Sequence, residues 1–324
     1  MEPQFARSNW VDNLERILIS YLFSQMTSAS LEGFQQALNF LASGKALSKI
    51  WWKPGGPFAG LSERWLFELP EIRTQLQSAL AKGIRFTDPL ASDYPKLLRL
   101  LDCPPFYLSY WGAAVWQTRP FLAVVGSREP SALSLQWCEQ ELPLLLRGSQ
   151  LGYVSGGARG IDQCVHRLSL REKRPTVILV PSGLLQMYPQ NLAGWGPLVV
   201  KQGGAFLSEC LPSQGMRKEY FVRRNRIISG LAVGTLIVEA RIRSGTLLTA
   251  QHTIEQGRPL FVLPSHPLDG QNRGALNLLM DGATPVCAAA DLVVMLESEL
   301  RSDVRACFSP ITTPSEKALV KTQM

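Results

Sequence analysis

Apolar and polar positions follow two regimes along the chain. From Trp10 to about Gly83 the apolar positions recur at helical spacing. Leu31, Phe34, Leu38 and Leu41 share a face, Ser30 stands where an N-cap belongs, and Gly44 stands where a helix stops. Trp51, Trp52, Trp65 and Phe67 offer bulk for a small core, and WWKPGGPFAG divides the region into two helical halves. Residues 86–119 carry prolines and aromatics with little periodicity, as expected of a connector that packs on a sheet edge. The pattern changes at Pro120. PFLAVVG, GYVSGG, TVILVPSG, AFLSEC, GTLIVEA and PLFVLPS read as strands with helical segments between them. One helix is expected from Ser131 to Arg147, bent or ended near Pro143, and another over IDQCVHRLSLREK. Strands alternating with helices predict βαβ units and a parallel sheet covered on both faces.

The expected protein is therefore α/β. A small helical domain spans residues 1–85 and the connector spans 86–119. A Rossmann-like, doubly wound, mostly parallel sheet domain spans 120–296. A short polar tail, 297–324, carries Pro310 and Pro314 and too little apolar pattern for an independent domain.

Composition narrows the class. With 46% hydrophobic and 18% charged residues the chain can bury a substantial core. Its 33 Lys and Arg against 26 Asp and Glu give +7, a mild preference for polyanionic partners. The six cysteines form no CxxC pair and only three histidines accompany them, so reduced thiols of a cytoplasmic protein are expected and no metal site is. MEPQFARSNW lacks the pattern of a signal peptide, and no apolar run is long enough to span a bilayer.

The densest chemistry lies between Met216 and Ser244. Arg217, Lys218, Arg223, Arg224 and Arg226 crowd one segment with Tyr220 and Phe221 inside it, and a short helical turn, RNRIISG, leads into the apolar strand GTLIVE. Cations neutralise phosphates and rings offer stacking platforms to unpaired bases; a merely solvated charged face is the plainer alternative. Doubly wound sheets bind ligands beyond the carboxyl ends of their strands. The loops expected there include GSREPS, with Gly126, Ser127 and Arg128, whose following helix start has amides to offer an anion. SGGARGID supplies Ser155, Gly156, Gly157 and Arg159, with Asp162 as a helix cap. PSGLLQMYPQN, the basic run with Asn225, and ARIRSGTLLTA, where Ser244 caps a helix starting at Gly245 or Thr246, complete an expected anion-binding edge.

Other chemistries fit poorly. GSREPS is not GxGxxG, SGGARG fits it only loosely, no acid closes the second strand, and GxxxxGK[ST] is absent, so no dinucleotide or other cofactor is expected. Asp162 is expected to cap a helix, Glu239 to end a strand and pair with a nearby arginine, and His166 to be a core histidine. No serine has the setting of a nucleophile elbow.

SGGARGID, YPQN, FLSE, FVRRNRIISGL, IVEARIRSGTLLTAQHTIEQGRPLFVLP and NRGALNLLMDGATPV occur in the order seen in the DNA-processing protein A (DprA/Smf) family, and DYPKLLRLLDCPP resembles that family's lead-in to the sheet. The resemblance covers about Thr87 to Val286. It implies an extended Rossmann-like domain after a small SAM-like or helix-hairpin-helix-like domain, and a non-catalytic protein. That protein would bind single-stranded DNA, load the RecA recombinase onto it in natural transformation, and form homodimers through the Rossmann domain. It implies a DNA pocket using Arg128, Lys218 and Phe221. The chain departs from the family pattern at Ser265, Ser182 and Gln190, and the family's C-terminal winged-helix domain is expected to be absent or reduced to the tail. The rival readings are a nucleoside monophosphate phosphoribohydrolase, whose PGGxGT loop is only approached by SGLAVGTLIVE, and a nucleotide-ligand sensor of the same fold.

Overall fold

The computed structural model of the protein describes residues 10–25, 37, 39, 43 and 64–301. Most of the helix expected from Ser30 to Gly44, and the WWKPGGPFAG break with Trp51 and Trp52, lie outside the described residues. Helices α1 (Trp10–Ser24) and α2 (Arg64–Ala81) pack together. Leu14, Leu18 and Tyr21 meet Ile72 and Leu76, and Tyr107 and Leu211 close the cluster from the sheet side. Phe67 is not part of this core as expected; it is 84% exposed, because that side of α2 has nothing packed against it among the described residues. Arg16 clamps α1 onto the sheet domain through two hydrogen bonds of 2.6 Å to Asp88.

Among the described residues nine strands form one sheet in the order β1-β2-β6-β5-β4-β3-β7-β8-β9. These are β1 (Ile84–Thr87), β2 (Leu108–Gly112), β3 (Phe121–Val125), β4 (Gly152–Ser155), β5 (Thr176–Leu179), β6 (Ala205–Ser208), β7 (Gly234–Ile237), β8 (Leu260–Val262) and β9 (Thr284–Pro285). The six strands expected after Pro120 are β3 to β8, all parallel. The stretch read as an irregular connector supplies β2, antiparallel to β6, while β1, antiparallel to β2, starts just ahead of it and crosses into it. The α/β, mostly parallel, Rossmann-like architecture is the one expected.

The helices between strands are α3 (Ala132–Gly148), α4 (Ile161–Arg171), α5 (Gly196–Lys201), α6 (Lys218–Gly230), α7 (Gly245–Glu255) and α8 (Arg273–Met280), and α9 (Ala289–Arg301) follows β9. Alternate residues of β3 serve opposite core layers, as a strand buried on both faces requires. Phe121, Ala123 and Val125 meet Ile227 and Ile228 of α6 and Ala250 of α7. Leu122 and Val124 meet Leu142 and Leu145 of α3, Val165 of α4 and Leu292 of α9. Each such large apolar side chain contributes about 1.5–3 kcal/mol relative to exposure. This burial explains why α3 does not end at Pro143 but runs on to Gly148: Pro143 removes one N–H from the ladder, while Leu142, Leu145 and Leu146 are fully buried around it. Helix α9 likewise continues past the expected tail boundary at 297 to Arg301.

Candidate nucleic-acid interface

From β3 the chain adds β4, β5 and β6 on one side and then returns to place β7 and β8 on the other. The loops after β3 and β7 therefore diverge, and a crevice opens beyond their carboxyl ends. A pocket of about 510 Å³ lies there. Its wall comprises the start of the β3–α3 loop, one face of α6 and the start of α7.

The basic run is not a loop with a short helical turn. It forms α6, whose first residue is Lys218. A helix turns about 100° per residue, so the cations of this run separate onto different faces. Phe221, Arg224, Asn225 and Ile228, spaced three and four apart, line the pocket. Arg223 and Arg226 point the other way. Both pair with the buried carboxylate of Glu209, Arg223 Nε at 2.9 Å and Arg226 Nη2 at close contact. Arg223 Nη2 also donates to the Ser24 carbonyl at 2.8 Å and Arg226 Nη1 to the Cys103 carbonyl at 2.7 Å. These two arginines fasten α6 to β6, to α1 and to the lead-in of β2. Lys218 stands three residues before Phe221 on the same helical face, exposed and outside the pocket wall.

Arg224 forms the floor. It is 7% exposed, and its Nη1 donates to the Leu179 carbonyl at 3.3 Å while its Nε has no partner. Burial lowers its pKa to about 10; Asp162 works against that shift and Arg128 adds to it. Asp162 is raised by its own burial, against the pull of Arg224. Both shifts disfavour charge, because Asp162 only partly compensates the guanidinium. Gly156 makes room for Arg224: a Cβ there would lie 1.4 Å from Nη1. Gly157, at φ +68°, abuts Leu192 and Ile178 instead of the pocket, and the Ser155 hydroxyl donates to the Val124 carbonyl at 2.7 Å. These three residues support the site from behind.

Gly126, Ser127 and Arg128 do line the pocket. The Arg128 guanidinium lies 5.4 Å from the centroid of the Phe221 ring, and Tyr188 meets that ring edge-on at 5.9 Å. Gly160, at φ +92°, lets the Arg128 backbone pack against the start of α4, where a Cβ would come within 2.8 Å of the Arg128 Cα. Arg159 is exposed beside that contact and outside the wall.

The helix starts are used differently from what the sequence suggests. Ser131 caps α3, accepting from the Ser134 amide, and the anion at this helix start is the protein's own. Glu239 Oε2 accepts from the Ser131 amide at 2.9 Å and from the Ser134 hydroxyl at 2.8 Å, instead of pairing with an arginine. The N-cap of α4 is Gly160, and Asp162 sits within the first turn accepting from the Ala158 amide at 3.2 Å. At α7 the Ser244 hydroxyl makes no cap and has no partner, while Thr246 Oγ1 donates to the Gly126 carbonyl at 3.0 Å. Ser244, Gly245 and Thr246 line the pocket, and Asn225 Nδ2 reaches the Gly245 carbonyl at 3.3 Å. His166 is fully buried, Nδ1 to Thr176 Oγ1 at 2.8 Å.

Sequence reasoning missed Glu129, Val222, Arg241 and Leu248 on the wall, and Tyr188 beside Phe221. Tyr188 lies in YPQN and Arg241 in ARIRS, so both were within motifs already singled out. Cys138, Cys164 and Cys210 are buried free thiols, and Cys103 and Cys287 are exposed ones. No helix among the described residues is long and apolar enough to cross a membrane.

A family model for DNA recombination-mediator protein A matches residues 85–297. The DNA processing protein DprA of Streptococcus pneumoniae is 34% identical over 220 residues, 63% of this chain and 75% of that protein. The protein Smf of Escherichia coli is 37% identical over 180 residues, 54% of this chain and 47% of that one. The solved structure of the S. pneumoniae protein superposes with a TM-score of 0.68 at 26% identity, covering 86% of this chain and 97% of that one. The structure of DNA processing protein A from Helicobacter pylori, a study of its single-stranded DNA binding mode, gives a TM-score of 0.58 at 27% identity over 67% of this chain and 96% of that one.

Proposed function

Because the chain belongs to the DNA recombination-mediator protein A family, we propose that its pocket holds single-stranded DNA and that the protein delivers the strand to the RecA recombinase in natural transformation. One observation carries the reading. A cation, Arg128, lies over a half-buried ring, Phe221, at the lip of an open pocket floored by a second cation, Arg224. A phosphate on the cation and a base on the ring is the combination a sequence-tolerant single-strand binder uses. Lys218 and Arg159 extend the positive rim along which the neighbouring phosphates run.

The protein acts without catalysis in this reading, as a cytoplasmic homodimer joined through the Rossmann domain. In this reading the helical domain leads into a connector whose strands β1 and β2 join the sheet, and the DNA-binding domain extends through α9 to Arg301. The engagement of Glu239 with the start of α3 supports a structural role for that carboxylate.

The test is a titration of single-stranded DNA, duplex DNA and mononucleotides across a salt series, followed by the rate of RecA assembly on the single strand with and without the protein. Preference for the single strand, with a slope of log K against log salt of roughly −2 to −3 per protomer, is expected. Equal affinity for duplex sinks the DNA reading, and an unchanged RecA rate sinks the loading reading alone.

A further inference from the structure

Two further charged residues line the pocket: Glu129, after β3, and Arg241, after β7. Both line the mouth. Arg241 Nη2 pairs with Glu129 Oε2 at 3.4 Å and donates to Gln271 Oε1 at 2.9 Å. The side chains are 46% and 73% exposed. Glu129 immediately follows Arg128, so the protein places a carboxylate where the proposed ligand brings phosphates.

The backbone that carries Arg241 is fixed. The Ala240 amide donates to Asn272 Oδ1 at 2.9 Å, the Ala275 amide donates to the Ala240 carbonyl at 3.1 Å, and Gly274 packs so closely that a Cβ would lie 2.6 Å from the Arg241 carbonyl oxygen. The side chain alone can move. Its guanidinium already faces a carboxylate oxygen across the mouth, and guanidinium groups donate to phosphate oxygens in the same geometry. An ion pair this exposed contributes little to stability, so an incoming anion can replace it at small cost.

Resting on the reading of the pocket as a single-strand site, we propose that Arg241 is a further phosphate-binding residue held by Glu129 in the free protein. The strand's phosphate takes the place of Glu129, which swings into solvent. Arg241 then joins Arg128 from the opposite side of the crevice, so the strand is gripped from the loops of both β3 and β7. Glu129 acts as a latch that sets a threshold: a weakly charged ligand does not displace it and a polyphosphate chain does.

The test is a titration of labelled oligothymidylate against wild type, Glu129→Gln, Arg241→Ala and the double variant, with Arg128→Ala as reference and thermal melting of each. Glu129→Gln is expected to bind roughly two- to five-fold tighter, the range released by removing one exposed ion pair. Arg241→Ala is expected to bind more weakly, with a salt slope flatter by about 0.7. The gain from Glu129→Gln should shrink in the Arg241→Ala background. An equal gain in both backgrounds makes Glu129 a bare repelling charge and overturns the latch. Wild-type affinity and slope in a folded Arg241→Ala protein, with Arg128→Ala impaired, overturn the proposal and leave the pocket reading standing. No binding by wild type removes both.

Discussion

The guanidinium of Arg128 stands 5.4 Å from the centroid of the Phe221 ring; Arg128 comes from the loop after β3 and Phe221 from the first turns of α6, 93 positions on in the chain (221 − 128). The contact sets a phosphate-binding cation beside a base-stacking surface, and the two roles separate experimentally. Phe221→Ala should cost about 1–3 kcal/mol of single-strand affinity, one base stack, with the salt slope unchanged. Arg128→Ala should weaken binding and flatten the slope by about 0.7, one phosphate contact. Titrations beside thermal melting check both. A folded Phe221→Ala protein with wild-type affinity removes the stacking role.

A second expectation concerns the floor of the pocket, reached without touching its wall. A Cβ on Gly156 would lie 1.4 Å from Arg224 Nη1 and 2.1 Å from its Cζ, so Gly156→Ala must push the guanidinium out of place. The obstacle is the end of a flexible side chain, so the sheet should survive. Single-strand affinity should fall and the salt slope should flatten as in Arg224→Ala. Gly148→Ala, where a Cβ meets nothing within 4 Å, is the matched control. Wild-type binding by a folded Gly156→Ala protein would show that the position of Arg224 does not matter to the ligand.

What was legible follows from range. The six strands after Pro120 are short apolar runs, and their burial on both faces is written in the local pattern. IRFT and LSYWG are not, because β1 and β2 are antiparallel edge additions whose mixed residues reach the sheet only through partners far along the chain. The site was legible as a cluster of charge and aromatics but not in its geometry. Arg223, Arg224 and Arg226 look equivalent in sequence; the turn of α6 sends Arg224 to the pocket and the other two to Glu209. Nothing near Glu209 in the sequence announces that it neutralises two arginines. Glu239 reaches the start of α3 from more than a hundred residues away. Pairings of that kind are products of topology.

The Glu209 cluster therefore predicts a stability effect with little effect on DNA binding. Its side chain is 5% exposed and holds Arg223, 36% exposed, and Arg226, 18% exposed. Glu209→Ala leaves two adjacent cations without their anion. The loss of stability should be about 2–3 kcal/mol, below that for a fully buried pair because Arg223 keeps contact with water. Arg226→Ala should cost less, since Glu209 keeps Arg223. Neither change should flatten the salt slope of single-strand binding in the folded protein. A flattened slope for Arg226→Ala would place that arginine on a phosphate after all.

The last expectation concerns acid. Thr176 Oγ1 donates to the Tyr153 carbonyl at 2.9 Å, so its contact of 2.8 Å with His166 Nδ1 requires the ring to donate from Nδ1. Nε2 is left buried and without a partner. Burial, with Arg224 adding to it, lowers the pKa from 6.5 to about 3. Above 6.5 the ring is neutral in both folded and unfolded chains, and the stability is fully present. Below 6.5 the unfolded chain takes up a proton that the folded protein refuses. Stability should therefore fall by about 1.4 kcal/mol per pH unit until the folded value near pH 3 is reached. Other groups contribute slopes of their own, so the measurement is a difference. His166→Asn keeps a donor near Nδ1 and has nothing to titrate. Denaturant melts of both proteins from neutral pH downward should show the wild-type advantage shrinking by about 1.4 kcal/mol per unit below pH 6.5. A constant difference across that window would mean that His166 is protonated in the folded protein.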